Sequence, residues 1–120
     1  MKWDYRNLAY GTDKKQKLDI IIPQKHEAHA IAYIHGGAFM IGNKSQYPSF
    51  LQDYSKEIVI ATIDYRLIKK DNNIELKDML LDVRNALLKV IELSDEHNVH
   101  IKDFILMGHS AGGHIALLYG

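Results

Sequence analysis

Four apolar residues, Phe104-Ile105-Leu106-Met107, run straight into Gly108-His109-Ser110-Ala111-Gly112-Gly113, and apolar character resumes at Ile115. No other feature constrains the fold as tightly. The first segment reads as a strand and the last as the opening of a helix that continues from His114 toward Gly120. A strand can pass into a helix this abruptly only through a sharp turn. Gly108 and Gly112 lack the Cβ atoms that would crowd such a turn. Ser110 then stands at its apex, with its hydroxyl above the strand end and close to a helix N-terminus.

The rest of the chain alternates in the same manner. Leu18-Asp19-Ile20-Ile21-Ile22 is a β-branched run stopped by Pro23, and Ala30-Ile31-Ala32-Tyr33-Ile34 is a second strand ending at His35-Gly36-Gly37. Residues 46–57, with Pro48 near the start, read as a short helix. Ile58 to Ile63 is a third strand. A long amphipathic helix follows, with Leu76, Leu80, Val83, Leu87, Val90 and Ile91 along one face. Asp78 and Asp82 lie toward its start and Lys89 toward its end, as the helix dipole favours. Residues 1–16 read as polar and irregular. Strands without apolar–polar alternation, separated by helices, predict an α/β fold: a mostly parallel sheet with helices on both faces.

Composition narrows the partners. Fifteen Lys and Arg balance fifteen Asp and Glu, so no electrostatic footprint for nucleic acid or an anionic membrane is expected. No cysteine is present, which excludes disulfides and thiolate metal sites. The start, Met1-Lys2-Trp3-Asp4-Tyr5-Arg6, has no apolar leader core, and no apolar run reaches spanning length. The expectation is a cytoplasmic protein with no membrane association.

Two glycine-rich turns carry the candidate chemistry. Gly108-His109-Ser110-Ala111-Gly112, between strand and helix, has the context of a nucleophile elbow, in which a strained serine is presented to substrate. Neither a dinucleotide loop nor a P-loop fits, since G-x-G-x-x-G and a terminal Gly-Lys-Ser/Thr are both absent. The second turn, His35-Gly36-Gly37-Ala38-Phe39, also follows a strand. Backbone amides can converge on one oxyanion there without side-chain bulk in the way. Both turns fall at the C-terminal ends of strands, where open α/β sheets place their sites.

Tyr10-Gly11, Leu18-Asp19-Ile20, His35-Gly36-Gly37, Asp64-Tyr65-Arg66-Leu67 and Gly108-His109-Ser110-Ala111-Gly112-Gly113-His114 occur in an order that resembles the hormone-sensitive-lipase-like esterases and the related small bacterial carboxylesterases. The resemblance implies the three-layer α/β-hydrolase sandwich. It implies Ser110 as nucleophile, and the amides of Gly37, Ala38 and Ala111 as the oxyanion hole. A small-molecule carboxylic ester would be the substrate, and neither a metal nor an organic cofactor is implied. Asp64-Tyr65-Arg66 corresponds to a structural motif at a strand end. His109, inside the elbow, reads as a supporting or packing residue rather than the base. His26, His29, His97 and His100 read as surface residues in loops or helix ends.

In this fold the triad runs Ser, then Asp or Glu, then His. Only residues 111–120 follow Ser110; none is acidic, and His114 is the single histidine, expected to point away from the hydroxyl. The acid and base are therefore expected to be absent, and residues 1–120 to form a partial α/β-hydrolase domain that ends just after the elbow. Such a chain would be the N-terminal portion of a longer hydrolase, as a fragment, a truncated product or one half of a split enzyme. Alone it would be nearly inactive. The strand of Phe104–Met107 would be left as an apolar edge open to self-association or a partner chain. Amide or peptide hydrolysis at the same elbow, and a non-catalytic binding module, are the alternatives.

Overall fold

The computed structural model describes residues 1–119, with residues 117–119 described as backbone; the predicted end of the last helix at Gly120 lies outside the described residues. The elements are β1 (Tyr5–Ala9), β2 (Lys17–Ile21), β3 (Glu27–Ile34), a 3-10 helix (Ser49–Tyr54), β4 (Val59–Ile63), α1 (Leu76–Glu96), β5 (His100–Gly108) and α2 (Ala111–Tyr119). They build one five-stranded sheet in the order β1-β2-β4-β3-β5. The α/β architecture read from the sequence is present, as a mixed sheet. β4, β3 and β5 are parallel, while β2 runs antiparallel to β4 and β1 antiparallel to β2.

Every residue of β4 is buried, and β3 is buried from Ala30 onward. That is why these strands read as unbroken apolar runs. One sheet face, including Ala30, Ala32, Ile34, Ala61 and Ile63, packs on Met79, Val83, Ala86, Leu87 and Val90 of α1 and on Ile115 of α2. The other face gathers Ile31, Tyr33 and Ile60 around Leu51 of the 3-10 helix, with Trp3 and Tyr47 against them.

α1 is rotated slightly from the predicted face. Met79 and Ala86 lie in the core, while Ile91 is 38% exposed. Its first turn is closed by the Asp78 carboxylate, which accepts from the Glu75 amide at 2.8 Å. At the other end Asn98 takes a left-handed conformation, φ 61, and the Val99 amide donates back to the Ser94 carbonyl. Asparagine tolerates this conformation better than most residues, and helices commonly stop this way.

Four boundaries differ from the sequence reading. β3 begins at Glu27, three residues before the expected Ala30. β1 falls in the segment read as irregular; it is an edge strand with Arg6 and Asn7 exposed, and its ladder is interrupted between Tyr5 and Leu8. The helix expected over 46–57 is a six-residue 3-10 segment that buries only Leu51. β5 starts four residues before Phe104, at His100, because its polar half lines up with Glu27 and Ala28 of β3.

Candidate active site

Ile34 and Gly108, the last residues of β3 and β5, are register partners. The two glycine-rich turns therefore leave adjacent parallel strands side by side. A Cβ built on Gly36 would lie 3.2 Å from the Ser110 Cβ and 2.6 Å from the His109 carbonyl oxygen, so the turns touch. One built on Gly112 would lie 1.9 Å from the Ile34 carbonyl oxygen. Only residues without side chains let α2 seat against the end of β3 and bring the turns this close.

Ser110 has φ 55, a left-handed conformation that costs a non-glycine residue energy and persists only where its surroundings impose it. Its neighbours supply that constraint: Gly112 N–H donates to the His109 carbonyl at 2.9 Å, and His114 N–H to the Ser110 carbonyl at 3.0 Å. Ser110 is exposed. Ala111 is the first residue of α2, so its amide has no acceptor within the helix.

The first turn is equally contorted, with φ 129 at Gly37, 55 at Ala38 and 67 at Phe39. The Gly37 carbonyl accepts from the amides of both Met40 and Ile41, at 3.0 Å each. The amides of Gly37 and Ala38 make no main-chain hydrogen bond among the described residues. The structure thus brings all four predicted residues, Ser110, Gly37, Ala38 and Ala111, to one end of the sheet. Clefts such as that lined by Asp4, Ile22, Pro23 and Gln24 lie at the opposite end.

Beneath the turns is a support that sequence reasoning left without a role. His35, 1% exposed, stacks on Tyr65 with ring centroids 4.4 Å apart and planes 16° from parallel. The Tyr65 hydroxyl donates to the His35 carbonyl at 2.8 Å. Burial lowers the His35 pKa from its ordinary value, only partly offset by the Gly36 carbonyl and Asp64. Burial also raises the Tyr65 pKa to about 12.

Asp64 accepts from the Lys44 amide at 2.7 Å, and its carbonyl accepts from the Tyr10 hydroxyl. Arg66 reaches Asp82 of α1 with Nη2–Oδ1 at 2.8 Å. Asp64-Tyr65-Arg66 is thus the structural motif the sequence suggested. Asp82, predicted to serve the helix dipole, is instead fully buried under Arg66 and Gln16. Lys44 pairs with Asp19 at 3.1 Å, both nearly buried. The surroundings of Asp82 and Lys44 carry no local sequence signal, since their partners are distant in the chain.

The other histidines divide as follows. His109, read as a supporting or packing residue, is exposed. His26, His29, His97 and His100 are exposed, as expected, although His29 lies on β3 and His100 on β5. His29 pairs with Asp103, and His97 accepts from or donates to the Tyr5 hydroxyl. The His114 ring makes a T-shaped contact with Phe39, 6.0 Å between centroids, so it faces the Gly37 turn. No histidine is hydrogen-bonded to the Ser110 hydroxyl among the described residues. No group of three or more His, Asp or Glu that could hold a metal ion occurs among them, and no helix is long and apolar enough to cross a membrane.

The sheet, the paired turns and the left-handed serine together define a partial α/β-hydrolase fold of the esterase type. The family model BD-FAE matches residues 18–120, and the chain belongs to that family. It is 31% identical over 92% of its length to the Arabidopsis thaliana protein "Probable isoprenylcysteine alpha-carbonyl methylesterase ICMEL1", covering 23% of that relative. It is 28% identical to a kynurenine formamidase of Salmo salar, over 93% of this chain and 37% of the relative. Among solved structures, Thermogutta terrifontis esterase 2 phosphorylated by paraoxon superposes with a TM-score of 0.73 at 25% identity, covering 90% of this chain and 44% of the esterase. The chain thus spans between about a quarter and somewhat under half of the length of these relatives.

Proposed function

We propose that this chain carries the nucleophile and oxyanion hole of a carboxylic ester hydrolase. The observation that carries the reading is the contact between the two turns: Gly36 against Ser110, with Ser110 held at φ 55. The Ser110 oxygen attacks the ester carbonyl carbon while a base takes its proton. The amides of Gly37, Ala38 and Ala111 hold the oxyanion. The alkoxide leaves with a proton, and water then releases the acid from the acyl-serine. The base and its acidic partner come from outside residues 1–120, so the chain alone turns over ester very slowly. The reaction needs no metal or organic cofactor, and a cytoplasmic setting suits it. The free edge of β5 pairs with a further strand, from the remaining chain or from a partner.

The test is reaction of the chain with a fluorophosphonate, with the labelled peptide mapped by mass spectrometry. The turn geometry alone preserves part of the rate advantage of such sites, roughly 10³-fold over water. Label is therefore expected at Ser110 in preference to the exposed Ser45 and Ser49, and is lost in Ser110→Ala. Even labelling of all three serines would overturn the reading. The kynurenine formamidase relative favours a second one, amide hydrolysis at the same serine. Matched ester and amide substrates, assayed with the completed enzyme, separate the two.

A further inference from the structure

The His35 Nδ1 lies 2.7 Å from the Gly36 carbonyl oxygen. A carbonyl only accepts, so Nδ1 must carry a proton. Burial disfavours the charged ring, so this is the single proton of a neutral imidazole. Nε2, left bare, is 3.9 Å from Asp64 Oδ1, beyond hydrogen-bond range. The ring cannot easily move. Tyr65 stacks on it and bonds to the main chain of the same residue. Gly42 closes over the bond: a Cβ there would lie 2.4 Å from the Gly36 oxygen and 2.7 Å from His35 Nδ1.

In a trans peptide the C=O and the following N–H share one plane and point in opposite directions. Whatever holds the Gly36 carbonyl therefore aims the Gly37 amide. Gly36 and Gly37 have no side chains to resist rotation of that plane. We propose that His35 is a positioning residue: by bonding the Gly36 carbonyl it turns the Gly37 N–H toward the space over Ser110. This role rests on Gly37 being an oxyanion donor.

The test uses the 15N-labelled full chain and two variants. His35→Phe keeps a ring to stack on Tyr65 but has no donor. His35→Asn offers an amide nitrogen near the place of Nδ1. Ring nitrogen shifts at neutral pH are expected to show the proton on Nδ1; a proton on Nε2 overturns the proposal whatever the activity. In His35→Phe the Gly37 amide signal is expected to move, and fluorophosphonate labelling of Ser110 to slow by the order of 10²-fold, the usual cost of one lost oxyanion donor. His35→Asn should recover much of that rate.

Equal losses in both variants, in proportion to lowered melting temperature, would mean that His35 only packs. An unmoved Gly37 signal in folded His35→Phe would mean the same. If His35→Phe does not fold, the tautomer and the His35→Asn comparison still decide. If the native chain shows no preference for Ser110, the esterase reading fails, while the tautomer and the Gly37 signal continue to judge His35.

Discussion

Arg66 and Asp82 are joined by side-chain hydrogen bonds of 2.8, 3.0 and 3.1 Å, and the Arg66 amide donates to the same carboxylate at 2.9 Å. Asp82 is fully buried, so its charge depends on these donors and on Gln16. Breaking such a pair by removing one member strands the other charge. Arg66→Ala is expected to destabilise the chain by about 3–5 kcal/mol, read as a shift of the urea midpoint. Asp82→Asn, which keeps a polar group in place, should lose less.

Stability should fall on both sides of neutrality, through two stacked rings. His35 has a folded-state pKa below its ordinary 6.5. The unfolded chain therefore binds the extra proton first. Its contribution is complete above about pH 6.5 and is lost as pH drops from there toward the folded value. Tyr65 is raised from 10.0 to about 12. The unfolded chain loses that proton first, so stability declines as pH rises from 10 toward 12. Thermal unfolding across pH checks both limbs, and His35→Phe should flatten the acid limb.

Two of the close-approach glycines should separate folding from reactivity. A methyl at Gly112 would meet the Ile34 carbonyl oxygen at 1.9 Å, backbone against backbone. Gly112→Ala should therefore lower stability by at least about 1–3 kcal/mol and disturb the seating of α2. A methyl at Gly36 would press on the His109 carbonyl and the Ser110 Cβ. Gly36→Ala is expected to slow Ser110 phosphonylation by about tenfold or more, through a small displacement of the type that active sites tolerate poorly, with a smaller shift in melting temperature.

β5 is an edge strand with Ile105 47% exposed. Such an edge invites pairing. The chain is expected to self-associate with rising concentration in light scattering, and Ile105→Lys to reduce that association without changing the melting temperature at low concentration.

Much of this architecture was legible because its strongest signals are local. The fully buried β4 shows itself as an apolar run. The strand-to-helix turn at Ser110 is written in its glycines, and the Gly36-Gly37 pair marks the second turn. β1 was not legible: an interrupted edge strand with exposed Arg6 and Asn7 carries neither alternation nor apolar density. The antiparallel placement of β2 could not be read either, because a buried strand looks the same in both directions. Asp82 misled for a related reason. An aspartate in the early part of a helix suits the dipole, and nothing nearby reveals an arginine sixteen residues away as its partner.

The family match begins at Leu18, yet three ties to the site come from earlier in the chain. The Asn7 amide holds Asp19, which in turn holds Lys44; the Tyr10 hydroxyl holds the main chain at Asp64; and Gln16 holds Asp82. Anyone trimming this protein to the span of the family model for crystallisation or fusion would cut away the guy-lines of the site, Tyr10 among them, while leaving both glycine-rich turns intact.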